Sequence, residues 1–232
     1  AIDQISRLDR IAGEEGKTPE FLLEVNVSGE RSKDGMKPED VPAAVEHMLE
    51  RCPSITLEGF MTMAPFSENS EDSRPYFRKL RELRDEGKIR HIGISFHDNA
   101  DMLNTILTEQ PDIEVVQLQI NYLDEDDPGI QSLACYKTAE KHGKKVMVME
   151  PVKGGTLVKL PKEAGEILDG LGIKSYASLA LRYAKSFKNV FMVLSGMGSV
   201  DMIRDNVKTM KAPKPLSKEE RDATVKIREI IR

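Results

Sequence analysis

Short apolar runs rich in Val, Ile, Leu and Met recur along this chain, separated by longer amphipathic, charge-rich stretches. That alternation is the pattern of βα units built around a parallel sheet. The expected strands are Phe21 to Val27, Leu57 to Met63, Ile89 to Ile94, Val115 to Ile120, Lys145 to Met149 and Phe191 to Leu194. Their near-continuous hydrophobicity suits strands covered on both faces. Helices are expected over Asp3 to Glu15, Pro38 to Arg51, Ser73 to Glu86, Ala100 to Glu109, Gly129 to His142, Ser175 to Ser186, Ser199 to Met210 and Ser217 to Ile231. A shorter helix is expected within Pro161 to Gly172. Ser217 with Glu220 has capping-box spacing, in which each side chain satisfies a backbone N–H near the helix start. No low-complexity tract or long Gly/Ser linker interrupts the series, so the reading is one continuous α/β body over residues 1–232.

Six visible strands are too few to close the usual eight-stranded barrel, although 232 residues lie at the low end of that fold. The expectation is therefore a barrel-derived α/β fold of about six parallel strands, incomplete or distorted. Two sheet edges would be left unpaired, and such edges invite self-association into a homo-oligomer.

Composition narrows the partners. A formal net charge of -5 offers no basic field for a phosphate backbone, so nucleic acid is not expected. No apolar run approaches the roughly 20 residues of a membrane span, and the polar start AIDQISRLDR is unlike a secretory signal; a cytoplasmic protein with no membrane partner is expected. Cys52 and Cys135 belong to no CxxC or Cys/His cluster, which gives neither zinc nor an iron–sulfur cluster its ligands. His47, His91, His97 and His142 form no HExxH or i, i+4 pair, so no metal is expected. The acidic stretch Asp124, Asp126, Asp127, with Asp98 upstream, suggests paired carboxylates, but DEDDPG reads more simply as a solvated loop and helix start.

Specific motifs go further. LLEVNVSGERSKDGM (Leu22 to Met36), LEGFMTMAP (Leu57 to Pro65) and RPYFRKLRELRDE (Arg74 to Glu86) resemble the pyridoxal-phosphate homeostasis family, whose members are similar to the barrel domain of alanine racemase. GKIRHIGISFHD (Gly87 to Asp98), VVQLQINYLDEDDPGIQS (Val115 to Ser132), KVMVMEPVKGGTL (Lys145 to Leu157), SYASLALRYA (Ser175 to Ala184) and VLSGMGSVDMIRDNV (Val193 to Val207) resemble, in order, the fifth to eighth strands of aldo-keto reductases, in the branch with a ferredoxin-like tail. The two likenesses cover residues 1 to about 86 and about 80 to 232. They meet in LRELRDEG (Leu80 to Gly87), helix sequence acceptable to either, so the segments 1–86 and 87–232 read as two TIM-barrel pieces joined as a chimera.

The second resemblance implies a nicotinamide cofactor, NAD or NADP, at the C-terminal mouth of the strands. Ser95 and Gln117 match contacts to the carboxamide; Gln117 pointing outward or serving a strand edge is the structural alternative. Pro151, Val152, Gly154, Gly155 and Leu157 match the loop around the pyrophosphate, where glycine lets a backbone approach phosphate without a Cβ in the way. Ser195, Gly196 and Asn206 match the adenosine side, next to a helix start that favours anions. Met149 stands where relatives carry a stacking tyrosine. Gly198 and Met202 stand where NADP users place a cation, with Arg204 nearby. The family's catalytic Tyr, Lys, Asp and His come from its first four strands, so no catalytic residue is transferred. The first family's Schiff-base lysine strand is likewise missing. Lys33 and Lys153 each follow a strand, but an aldimine needs a desolvated amine of lowered pKa, and Ser28, Glu30 and Lys33 read as a solvated loop. Pyridoxal phosphate is thus the less favoured cofactor. The leading expectation is a chimeric or truncated (β/α) barrel scaffold without a complete active site, retaining nicotinamide-binding residues. The alternatives are an aldo-keto-reductase-type NAD(P)-dependent oxidoreductase and a pyridoxal-phosphate-binding homeostasis protein.

Overall fold

A computed structural model describes residues 2–26, 35–61, 74–87 and 91–232. Ser28, Glu30 and Lys33 lie outside the described residues. The chain divides into two compact units, Ala1–Ile94 and Ser95–Arg232.

In the first unit, α1 (Ile2–Glu14), β1 (Glu20–Glu24), α2 (Val41–Arg51), β2 (Thr56–Met61) and α3 (Arg74–Asp85) follow in order. β1 and β2 pair in parallel, with a register shift after Phe21. Ile5 and Ala12 of α1, Ala44 and Met48 of α2, and Leu23, Met36, Cys52 and Ile55 form the core, with Phe21, Val41, Val45, Leu57 and Phe60 packed against it. Helical spacing in α1 puts Ile5 and Ala12 on one face. Polar contacts tie the same helix down: the Ser54 N–H donates to Asp9 Oδ1 at 2.7 Å, and Ser6 Oγ meets His47 Nε2 at 2.8 Å. A Cβ on Gly13 would stand 2.9 Å from Ser54 Oγ, so glycine permits the turn before β2 to approach α1. The helix expected from Pro38 is a 3-10 turn, Pro38–Asp40, that leads into α2.

The second unit carries β4 (Val115–Gln119), β5 (Lys145–Met149) and β6 (Val190–Val193), in a sheet whose order is β3 (Gly93–Ser95), β4, β5, β6. The boundary between the units falls inside β3. Between and after the strands come α4 (Ala100–Glu109), α5 (Ser132–Lys141), α6 (Lys162–Gly170), α7 (Tyr176–Lys185), α8 (Val200–Lys211) and α9 (Lys218–Ile231). β4 to β5 and β5 to β6 are parallel, as βαβ crossovers require. Leu103 and Leu107 of α4, Val116 and Leu118 of β4, Val146 and Val148 of β5, and Leu179 and Ala180 of α7 are all essentially inaccessible to solvent.

β4 alternates, with Val116 and Leu118 buried and Val115, Gln117 and Gln119 half-buried. The strand is thus less evenly covered than its apolar run implied. β3 is three residues long, starting four positions after the expected Ile89. The helix expected from Gly129 begins at Ser132, because Asp127 Oδ1 accepts from the Gly129 and Ile130 N–H groups in a side-chain turn and Gln131 takes φ 51°. The capping box at Ser217 forms as expected.

α9 is fastened by charge. Arg182 Nη1 donates to Glu220 Oε2 at 3.0 Å, and Nη2 donates to Oε1 of the same carboxylate. Arg228 Nη2 reaches Glu125 at 2.7 Å and its Nη1 reaches Asp126 at 2.9 Å, while Arg232 Nη1 joins Asp126 at 2.7 Å. The hydrogen bond from Arg182 holds the Glu220 carboxyl below its ordinary value; that from Arg228 does the same for Asp126. A depressed carboxyl contributes stability that is present above its unfolded value, 4.5 for Glu220, and is lost as pH falls through the folded value. Arg182→Met is expected to lower the urea-unfolding free energy at pH 7 by about 1.5–3 kcal/mol, the range for a hydrogen bond to a charged group. The deficit should shrink below about pH 4.5, where the wild type loses the same interaction; an equal deficit at pH 7 and pH 3 would assign the effect to packing instead.

Candidate functional site

Parallel strands discharge their loops at one end, and in the second unit the loops after β4 and β5 meet there. Gln117, third of the five residues of β4 rather than its last, sits on the half-buried face. Its Nε2 donates to Met149 Sδ at 3.5 Å, so the residue at the expected tyrosine position touches the carboxamide-binding candidate through sulfur. Ser95 closes β3, half-buried; the next residue, Phe96, donates its N–H to the Gln117 carbonyl at 3.0 Å. The strand pairing therefore brings Ser95, Gln117 and Met149 together along one stretch of sheet.

After β5 the chain enters Pro151, Val152, a 3-10 turn over Lys153–Gly155, and Leu157. Gly154 and Gly155 have φ 59° and 97°, and a Cβ at either would meet nothing within 4 Å. The Cβ side of each of these two glycines is therefore open. The N–H groups of Lys153, Gly155, Thr156, Leu157 and Val158 are taken up by carbonyls of the loop's own turns, so the fan of free amides anticipated from the Gly-Gly pair is largely closed. Leu157 is fully buried and plugs the loop into the core.

On the far edge of this sheet, Ser195 and Gly196 follow β6. Asn206 on α8 is buried, and its Nδ2 donates to Ser195 Oγ at 3.1 Å. These two residues are brought together with each other. Ser199 caps α8 by accepting from the Met202 N–H at 3.2 Å. Arg204 pairs with Asp201 at 3.3 Å on the surface, while Gly198 and Met202 are exposed.

The acidic stretch that reads as a solvated loop in the sequence holds a buried polar cluster. Asp124, 2% exposed, accepts at Oδ2 from Gln119 Nε2 (2.7 Å) and Asn121 Nδ2 (2.8 Å), and at Oδ1 from Lys153 Nζ (2.5 Å). Asn121 is fully buried. Its Oδ1 accepts from the N–H groups of Leu123 and Asp124, and its Nδ2 also donates to the Glu150 carbonyl at 3.2 Å. Instead of a solvated DEDDPG loop, the structure buries Asp124 and ion-pairs Asp126 with Arg228 and Arg232. Among the described residues only Gln131, Glu150 and Lys153 take positive φ without being glycine, at 51°, 53° and 47°. All three lie in these two loops. Left-handed backbone in a residue with a side chain costs on the order of 1–3 kcal/mol and persists only where the surroundings hold it. Lys153, committed to a carboxylate, is not the free, desolvated amine an aldimine requires.

Beside this cluster, Phe96, His97, Asp98, Leu118, Gln119 and Cys135 help line a cavity of about 60 Å³, room for one or two waters. Burial pushes the Cys135 thiol up to about 11, with Asp98 adding to the shift, so it is a poor nucleophile. Four of the five tyrosines have described side chains. Tyr122 is wholly buried, with no partner for its hydroxyl and its acidity suppressed by burial; Tyr183 is likewise pushed up by burial. The Tyr136 hydroxyl donates to Glu140 at 3.0 Å and that of Tyr176 to Asp169 at 2.8 Å. Among the described residues no group of three or more His, Cys, Asp and Glu is placed to hold a metal ion, and no helix is long and apolar enough to cross a membrane.

Comparison with known proteins places this geometry. The family model for the aldo/keto reductase family matches residues 9–229. The chain belongs to that family. Among solved structures it is similar to the holo form of an aldo-keto reductase from Bacillus halodurans (20% identity, TM-score 0.63, covering 98% of this chain and 87% of the other). It is also similar to an aldo-keto reductase from Klebsiella pneumoniae in complex with NADPH (16% identity, TM-score 0.59, covering 97% and 85%). The fold is thus TIM-barrel-like, and among the described residues its strands form two sheets. Curated relatives match shorter stretches. The pyridoxal phosphate homeostasis protein of Aquifex aeolicus is 54% identical over 67 residues, 29% of this chain and 29% of its own length. That of Bos taurus is 35% identical over 91 residues, 37% of this chain and 33% of its own length. The chain spans about a third of the length of these curated relatives. Its two resemblances are therefore both real, one at the level of the whole pattern and one at the level of residues in a short segment.

Gln117 is half-buried, and the Cβ sides of Gly154 and Gly155 are open. Leu157 acts below the site as an anchor. Leu157→Ala is expected to cost about 2–5 kcal/mol in chemical denaturation, as for other fully buried leucines. A cost under about 0.5 kcal/mol, the usual range for surface changes, would mean that the loop is not held by this side chain.

Proposed function

We propose that the second unit binds a nicotinamide dinucleotide across the C-terminal ends of β3, β4 and β5, and that the chain works as an oxidoreductase of the aldo/keto reductase class. The observation that carries this is the placement of Gln117 beside Ser95 and Met149, one loop away from Gly154 and Gly155 with their open face. Gln117 orients the carboxamide through its amide, which fixes which ring face is presented. Met149 packs against that amide, giving the ring a polarizable neighbour in place of a flat one. The glycine turn meets the pyrophosphate, with Lys153 held to Asp124 beside it. When bound, such a cofactor supplies or accepts a hydride. No cation stands at Gly198 or Met202, and Arg204 is turned to Asp201; the 2′-phosphate of NADP therefore gains no dedicated partner at those positions.

A second reading, a scaffold with no complete active site, is favoured by the described tyrosines. Each of the four is either buried with its acidity suppressed or donates to a carboxylate, and none is poised as a general acid near pH 7. Calorimetry at millimolar cofactor separates the readings. NADH and NADPH are expected to bind with affinities within about tenfold of one another, and Gln117→Ala to weaken both by about tenfold, the effect of one or two hydrogen bonds. Absence of binding heat for either cofactor would remove the proposal. Binding without cofactor oxidation across a panel of aldehydes would leave the scaffold reading.

Self-association is proposed along β6, the last strand of its sheet, where Phe191 and Met192 are 45% and 41% exposed. Apolar side chains on an unpaired edge favour pairing with another chain. Light scattering on a size-exclusion column is expected to give at least twice the 26.0 kDa chain mass; a monomer at every concentration tried would refute it.

A further inference from the structure

Among the described residues, the three non-glycine residues with left-handed backbone are not scattered, and two of them, Glu150 and Lys153, bracket the entry to the glycine turn. Both are grasped from the loop after β4. Asn121 holds the Glu150 carbonyl, and Asp124 holds the Lys153 ammonium. The gripping side chains are themselves fixed, since Asn121 accepts from two backbone N–H groups and Asp124 receives Gln119 and Asn121 on its other oxygen. Neither side chain faces solvent, whereas Lys153 is 31% exposed at its side chain. A buried carboxylate with three donors, one of them a partly exposed cation, is a fixed post to which a loop is tied.

We infer that Asp124, acting through Lys153 and seconded by Asn121, is a positioning residue that holds the loop from Glu150 to Leu157 in the shape that receives a dinucleotide's pyrophosphate. This rests on the cofactor reading above but adds a residue that the resemblance did not supply. Affinity rises when a loop is already in its bound shape, because the ordering cost is met before the ligand arrives. The opposite outcome is equally definite. If Asp124 merely sequesters Lys153, removing its charge frees a cation for the phosphate and binding tightens.

The test uses Asp124→Asn, Lys153→Met and the double variant of the full chain. In the ligand-free protein, amide hydrogen exchange read by mass spectrometry is expected to rise about tenfold over residues 150–157 in each variant, with the β5 amides unchanged, as for a local opening. In calorimetry with NADH, each single variant is expected to bind about tenfold more weakly, and the double variant no more weakly than either single one, which marks the two residues as one coupled unit. Additive losses, unchanged loop exchange or tighter binding by Asp124→Asn would each overturn the inference. Should Asp124→Asn fail to fold, Lys153→Met, altered at a partly exposed side chain, carries both readouts alone. Failure of the wild type to bind NADH would sink the cofactor reading, while the exchange measurement would still decide whether the tie holds the loop.

Discussion

The parallel pairing of β4 with β5 is the constraint from which the rest of the second unit follows. Val115 to Gln119 lie opposite Lys145 to Met149 without a break in register, and the ladder runs one step beyond the strands, where the Ile120 N–H donates to the Met149 carbonyl. An unbroken parallel register delivers both outgoing chains to the same end at the same height. Asn121 and Asp124 therefore face Glu150 and Lys153 although 29 residues separate each pair. A slip of one residue would turn Val116 and Leu118 away from the helices and destroy both the core face and this meeting of loops.

Burying a carboxylate is costly, and the cost is offset here by three directed donors instead of by a cation alone. That distribution has a structural consequence. With Gln119 and Asn121 satisfying one oxygen, Asp124 is held in place independently of the Lys153 side chain that it grips with the other. The contrast with α9 is instructive. There, Arg228 and Arg232 share the largely exposed Asp126, an arrangement that docks a helix but leaves its carboxylate open to water and salt.

The fold was legible because β/α units announce themselves through runs of Val, Ile and Leu and through caps. β5 and α4 fall on the expected residues, and Ser217 with Glu220 closes the capping box. The departures have local causes. Asp127 captures the two N–H groups that a helix from Gly129 would need, and Gln131 then turns left-handed, so α5 starts at Ser132. Site residues were legible only as positions. The resemblance could single out Gln117, which the structure puts in the middle of β4, and Gly154 and Gly155 after β5, but not the burial of Asp124. In the sequence that residue is one acid among four in DEDD, and what distinguishes it is a set of donors, one of them contributed by a lysine on the next crossover. Acidic runs are normally solvated, and nothing along the chain reveals which member will meet Lys153.

Membership of the aldo/keto reductase family and close identity to pyridoxal phosphate homeostasis proteins over a short stretch are compatible because they concern different levels of structure. A βα unit needs an apolar strand, a helix with one apolar face, and a connection long enough to cross the sheet. β1, α2 and β2 meet those demands, with Leu23, Ala44, Met48 and Ile55 in one core. Any family of (β/α) barrels can supply such a unit, because the packing demands side-chain volume and period rather than particular functional groups. Chemistry is less exchangeable, since it depends on named groups at fixed strand ends. A short stretch can therefore satisfy the architecture of one family while sharing many residues with another. In the second unit such named groups do meet at one end of a single sheet, where the loops after β4 and β5 bring Asp124 and Lys153 together.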